Sequence, residues 1–132
     1  MIKIAFFDVD GTLLKLGSKV PSFQTVQTLQ QLQAKGILLC MATGRGYLSV
    51  PHFEGVDFDL WLTFNGSYVR SKDAVISKNP LDADDKRRIL HNLKQMHRAA
   101  AISNEHFIVT NGAVFFLRQR EAGDLRAFRQ AL

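Results

Sequence analysis

Two aspartates one residue apart, Asp8 and Asp10, stand directly behind the nearly unbroken apolar run of residues 2–7, and Gly11 and Thr12 follow them. Residues two apart along an extended strand face the same way, so the two carboxylates are expected on one side, roughly 6–7 Å apart. A phosphoryl group fits such a gap. Asp8 could attack phosphorus while Asp10 protonates the departing oxygen and later activates a water. Gly11 lets the backbone approach a phosphate closely, and Thr12 adds a hydroxyl and an amide donor. Two carboxylates beside a dianionic phosphate repel each other, so a hard, oxygen-seeking cation such as Mg²⁺ is required. The plain alternative is an acidic turn on the surface. The apolar strand ahead of the motif decides for chemistry, because open α/β sheets bind ligands beyond the carboxyl ends of their parallel strands.

A second cluster, Thr43-Gly44-Arg45, closes the apolar run of residues 37–42. Thr43 can donate a hydroxyl hydrogen bond to a phosphate oxygen, Gly44 can expose its amide, and Arg45 carries a fork-shaped cation. Alone this is a loop with a solvated arginine; beside Asp8 on a neighbouring strand it becomes the other half of a phosphate site. Asn65-Gly66 ends the third run, residues 58–64, and read by itself is a simple turn. Other polar residues carry less. His52, His91, His97 and His106 show no metal-ligand spacing. Cys40 lies inside an apolar run and reads as a small hydrophobe. Gly44-Arg45-Gly46 makes neither a Walker loop nor a dinucleotide fingerprint.

Local patterns supply the elements that must position these groups. After the first strand, Pro21 opens a helical stretch in which Phe23, Val26, Leu29 and Leu32 recur on one face, and Gly36 stops it. Strand, helix and second strand form a βαβ unit, whose right-handed crossover gives parallel neighbours. After the third strand, Tyr68-Val69 and Val75-Ile76 read as a small hairpin around residues 71–73. Past Pro80, Asp82 is placed to cap a helix over residues 83–98, with Ile89, Leu93 and Met96 on one face and Asp84 and Asp85 in its first turn. Asn111-Gly112 between residues 107–110 and 113–117 signals a hairpin, and residues 121–132 close the chain as a helix.

Asp8-Val9-Asp10-Gly11-Thr12-Leu13 after an apolar strand resembles the first motif of the haloacid-dehalogenase-like superfamily, and Thr43-Gly44-Arg45 is similar to the second motif of its Cof-type phosphatases. The resemblance implies an α/β fold: a partial Rossmann-like parallel sheet (residues 1–80) with a partial α+β cap (residues 81–132). It implies that Asp8 is the nucleophile, forming an aspartyl-phosphate, and Asp10 the general acid/base. Mg²⁺ would sit on the Asp8 carboxylate and the Asp10 backbone carbonyl. Gly11, Thr12, Thr43, Gly44, Arg45 and Asn65 would face the phosphate or the substrate, Arg45 serving either substrate or structure. The implied activity is Mg²⁺-dependent hydrolysis of a small phosphorylated metabolite. The alternative is a catalytically incomplete remnant that binds phosphorylated ligands or a protein partner.

That alternative arises because the family's downstream lysine and second acidic metal motif cannot be placed. Gly123-Asp124 begins like the acidic motif but lacks the later aspartate and falls in a helical stretch. Three parallel strands that are apolar on both faces also need helices on both sides, yet one long crossover helix precedes residue 80. The expectation is a chain that is truncated or completes itself with another, self-associating through an open sheet edge or bare face. The net charge of +5 suits a polyanionic ligand, but the basic residues are dispersed, so nucleic acid is not the expected partner. No run approaches the ~20 apolar residues of a membrane span, and no signal-peptide pattern opens the chain, so a cytoplasmic setting is expected.

Overall fold

The computed structural model describes residues 2–110 and the backbone of residues 114–115. The chain divides into two compact units, Met1–Asp82 and Ala83–Leu132. In the first, the strands β1 (Ile4–Phe7), β2 (Leu38–Ala42) and β3 (Leu60–Thr63) lie side by side in parallel. Then β4 (Tyr68–Ser71) and β5 (Val75–Lys78) extend the sheet antiparallel, in the order β1-β2-β3-β4-β5. The α/β architecture follows from the apolar runs and the turn residues between them.

Helix α1 (Phe23–Ala34) joins β1 to β2. Ser22 caps it by accepting the Thr25 N–H at 3.1 Å, a contact worth about 1 kcal/mol. Gly36, at φ +73°, ends it in the left-handed conformation that a side chain resists. Gln30 and Gln33 donate from their Nε2 atoms to the carbonyls of Gly55 (3.0 Å) and Asp57 (2.7 Å), tying the helix to the loop ahead of β3. The Asp59 carboxylate accepts the Leu39 N–H at 2.9 Å, closing the start of the β2–β3 pair.

Register decides which side chains share a face. Phe7, Met41 and Trp61 stand abreast, and Ala5 pairs with Leu39. Leu29 of α1 lies against this face with Val26 and Leu32, together with Phe53, Val56 and Phe58 from the loop and Val9, Leu13 and Leu14 from the turn after β1. Burial on both faces, the expectation for β1 and β2, holds throughout on this face alone. On the other, Phe6 is 56% and Leu38 47% exposed, and only Cys40, which pairs with Phe6 and Leu60, is buried. β1 is an edge strand, and α1, the α-helix of this unit, lies on the first face. Phe23, read from spacing as part of the buried stripe, is exposed because it is the first helical residue.

The second unit holds α2 (Ala83–Gln95) and an antiparallel sheet of β6 (Ala101–Ser103), β7 (Ile108–Thr110) and β8 (Val114–Phe115) in that order. α2 stops earlier than residue 98: His97 takes φ +50°, and Arg98 N–H bonds back to the Leu93 carbonyl at 2.9 Å. Met96 lies beyond the helix and, like Ile89, is exposed, so of the expected apolar face of Ile89, Leu93 and Met96 only Leu93 is partly covered. Asn104 accepts the N–H groups of His106 and Phe107, at 2.8 and 2.9 Å, to turn the chain between β6 and β7. The pairing of β7 with β8 gives the expected hairpin; its turn residues Asn111 and Gly112, the helix expected over residues 121–132, and Gly123-Asp124 lie outside the described residues. Among the described residues no helix is long and apolar enough to cross a membrane.

Candidate functional site

Parallel pairing of β1, β2 and β3 brings their carboxyl ends to one edge of the sheet, and each end opens into one of the loops singled out above. Phe7 pairs with Met41, so Asp8 and Thr43 leave the sheet at the same edge. Thr43 N–H donates to the Leu62 carbonyl at 2.9 Å, drawing the second loop onto the end of β3.

The first loop departs from the extended geometry expected for Asp8 and Asp10. β1 stops at Phe7, and residues 8–14 close into a turn in which Leu13 N–H bonds to the Asp8 carbonyl (3.3 Å), Leu14 N–H to the Val9 carbonyl (2.8 Å) and Gly11 N–H to the Leu14 carbonyl (2.7 Å). Burial drives this. Val9, Leu13 and Leu14 are all in the core, so the turn is pinned from below while Asp8, Asp10, Gly11 and Thr12 remain exposed above. Gly11 adopts φ +91°, which L side chains rarely enter. The turn's own hydrogen bonds engage the carbonyls of Asp8, Val9 and Leu14 and leave that of Asp10 out.

Thr43 is buried, at 6% exposure, and its Oγ1 accepts the Arg45 N–H at 3.1 Å. Arg45 reaches across to the first loop: Nε donates to Oδ2 of Asp10 at 2.8 Å and Nη2 to Oδ1 at 2.6 Å, a two-pronged ion pair. Its Nη1 donates to the Ser49 carbonyl at 3.1 Å, at the end of a single 3-10 turn, Tyr47–Ser49. Ser49 was not foreseen, since a backbone carbonyl leaves no mark in residue types. The Arg45 guanidinium, chiefly through its hydrogen bonds, holds the Asp10 carboxyl below the usual carboxylate range, and Asp10 raises Arg45 in return. With the folded pKa lowered, whatever the pair contributes is present above about pH 3.9, the ordinary aspartate value, and is lost as pH falls through the lower folded value. Both side chains are partly exposed, so the contribution to stability is small.

The third loop is conformationally costly. Phe64, Asn65 and Gly66 take φ of +51°, +55° and +87° in succession. Left-handed backbone costs a residue with a side chain about 1–2 kcal/mol, and a bulky phenylalanine there is an outlier. The turn is held by Phe64 N–H on the Arg45 carbonyl (2.9 Å) and Asn65 N–H on the Thr43 carbonyl (3.1 Å). It sets the exposed Asn65 over Gly44, where a Cβ would stand 3.0 Å from the Asn65 Oδ1. Asn65-Gly66 is therefore more than a connecting turn: it braces the second loop.

Asp8, Asp10, Gly11, Thr12, Thr43, Gly44, Arg45 and Asn65 thus lie on three adjoining loops at one sheet edge, with direct contacts linking Asp10 to Arg45 and Asn65 to Thr43. Among the described residues no group of three or more His, Cys, Asp and Glu side chains is placed to hold a metal. A Mg²⁺ ion typically takes one or two carboxylates and fills its remaining positions with water and substrate phosphate. The exposed Asp8 carboxylate and the Asp10 carbonyl have the hard-oxygen chemistry for that mode.

The chain is similar to known proteins in sequence and in fold. The chain is 31% identical over 122 residues to the HMP-PP phosphatase of Citrobacter koseri, a match covering 90% of this chain and 44% of that protein. The solved structure of the phosphatase BT1666 from Bacteroides thetaiotaomicron superposes with a TM-score of 0.73 at 25% identity, over 98% of this chain and 46% of the other. A sugar phosphatase, BT4131, shares the fold at a TM-score of 0.70 and 24% identity, over 82% of this chain and 43% of the other. The chain spans less than half the length of these relatives. The family model for haloacid dehalogenase-like hydrolases matches residues 5–130, and the chain belongs to that family.

Proposed function

We propose that the chain carries the nucleophile and phosphate-binding loops of a Mg²⁺-dependent phosphatase that hydrolyses a small phosphorylated metabolite through an aspartyl-phosphate. The observation that carries this reading is the convergence of the Asp8, Thr43 and Asn65 loops at the carboxyl edge of three parallel strands. The phosphatase names of the relatives agree with it.

In this reading an Asp8 carboxylate oxygen attacks phosphorus, and the bond from phosphorus to the ester oxygen breaks. Asp10, as the carboxylic acid, gives that oxygen a proton. In the second half Asp10 takes a proton from water, the water oxygen attacks phosphorus, and Asp8 and inorganic phosphate are released. The Arg45 fork favours the Asp10 carboxylate, which suits the water-activating half; protonating the leaving group requires the pair to loosen. Thr43, Gly44 and Thr12 offer donors to the phosphoryl oxygens, Gly11, whose N–H is taken by the Leu14 carbonyl, leaves room for the anion to approach, and Asn65 stands beside Gly44 toward the substrate. Mg²⁺ on the Asp8 carboxylate and Asp10 carbonyl would neutralise charge between carboxylates and phosphate. The family's cap role falls to the unit after Asp82. A cytoplasmic setting accords with the single thiol, Cys40, which is buried and pushed by desolvation up to about 11.

Turnover of a generic aryl phosphate tests the reading. Release of phosphate that requires Mg²⁺ and stops with a chelator is expected, and release that ignores the metal would remove Mg²⁺ from the scheme. The Arg45 fork, which holds Asp10 as the carboxylate and not as the acid, favours a second reading, a chain that binds phosphorylated ligands or a protein partner without turnover. Phosphate binding without hydrolysis selects it.

Self-association belongs to the same proposal, supported by the edge position of β1 and the exposed Phe6 and Leu38. Light scattering across a concentration series should show mass rising with concentration. A constant monomer mass removes it.

A further inference from the structure

We infer that Arg45 is a positioning residue, one that aims the Asp10 carboxylate and fixes the second loop to the first, and not a cation that takes the phosphoryl group. This rests on the phosphoryl-transfer reading and assigns Arg45 a task within it. By resemblance Arg45 could serve substrate or structure; its hydrogen bonds discriminate. The Nε–Nη2 edge of a guanidinium is one of the two that can grip a carboxylate or a phosphate with parallel bonds, and here both of its prongs are on Asp10, at 2.8 and 2.6 Å. The remaining nitrogen, Nη1, is held by the Ser49 carbonyl at 3.1 Å, so the group is fastened from the side opposite Asp10. To grip a phosphate in the same way, Arg45 would have to surrender Asp10.

The backbone of Arg45 is engaged as well. Its N–H donates to the Thr43 Oγ1 at 3.1 Å, and its carbonyl accepts the Phe64 N–H at 2.9 Å. One residue therefore joins the acid/base loop, the Thr43 loop and the left-handed turn after β3, and the 3-10 turn at Tyr47–Ser49 anchors it. Lysine could not replace it, since a single ammonium offers no planar fork for both oxygens of Asp10. A shift of the Asp10 carboxylate by about 1 Å is enough to spoil proton transfer from the attacking water, the half of the reaction in which the pair stays intact, which is why such a group needs a fixed neighbour.

The test uses the full chain labelled with ¹³C and ¹⁵N and titrated with inorganic phosphate, as wild type, Arg45→Gln and Arg45→Lys. Phosphate affinity is expected to stay within about twofold in Arg45→Lys, which keeps the charge, and to fall by less than about tenfold in Arg45→Gln, where the nearby Asp10 carboxylate loses its counter-charge though the guanidinium never touched the anion. The Asp10 carboxyl carbon resonance is expected to move to that of an unpaired aspartate in Arg45→Gln, and Arg45→Lys should fail to restore it. A loss of phosphate affinity of about tenfold or more in Arg45→Gln would put the guanidinium on the anion and overturn the assignment. An Asp10 resonance that stays in place would overturn it equally. Should an Arg45 variant unfold, Asp10→Asn decides instead: the Arg45 Nε–H resonance moves if the pair exists in solution, and its constancy overturns the proposal. A wild-type chain that takes no phosphate overturns the phosphoryl-transfer reading itself, and Arg45's role falls with it; the other adverse results, with phosphate bound, overturn only the task given to Arg45.

Discussion

Asp8→Asn is expected to lower turnover of an aryl phosphate in the presence of Mg²⁺ by roughly 10⁴-fold or more, the scale of loss seen when a covalent nucleophile is removed. Asparagine has the size and shape of aspartate but its amide is a far poorer nucleophile. The substitution should leave the fold alone. Asp8 is exposed, and the turn after β1 uses its backbone carbonyl, which asparagine also has. The thermal unfolding midpoint should therefore match wild type. A second readout works even where hydrolysis is absent: without Mg²⁺, phosphate should bind more tightly to Asp8→Asn, since one negative charge beside the dianion is gone. Equal turnover in both proteins would take the nucleophile's role from Asp8, and equal phosphate affinity would place the anion elsewhere.

The largest loss of stability is expected from Phe53→Ala. Phe53 is 1% exposed, and its ring lies 5.5 Å from that of Phe58, tilted by 57°. It belongs to the cluster that also contains Leu29, Leu39 and Met41 and the three apolar residues of the nucleophile turn, Val9, Leu13 and Leu14. Truncating such a ring costs about 3–5 kcal/mol, a large part of the 5–15 kcal/mol that hold a typical domain together. The midpoint of urea unfolding, followed by circular dichroism, should fall well below that of wild type. Phosphate binding should weaken as well, because the turn carrying Asp8 rests on this cluster. An unchanged midpoint would mean that the cluster is not what holds this unit together.

Much of the fold could be read from local pattern. The apolar runs ending at Phe7, Ala42 and Phe64 gave the three parallel strands, and the chemistry-bearing residues stood directly after them. The hairpin of β4 and β5 was visible for the same reason, as was the end of α1 at Gly36. β6 was not. Ala101-Ile102-Ser103 is three residues long with a weak strand former at its head, and it becomes a strand by pairing with β7. The depth of burial was also misjudged at β1, because an apolar run says that a residue can be covered and not that something covers it. Phe6 is the case in point, and Phe23 at the head of α1 shows the same for helical spacing.

By itself the sequence determined which groups stand at the strand ends, because apolar runs, helix-opening proline and turn glycine act over a few residues and leave their mark in residue type. Only the tertiary structure decided how those groups engage each other. The Asp10–Arg45 fork joins residues 35 positions apart. The left-handed course of Phe64 contradicts its local preference and persists because the Thr43 and Arg45 carbonyls hold its turn. Interactions of this kind depend on which strands become neighbours, and that is settled by burial over the whole unit.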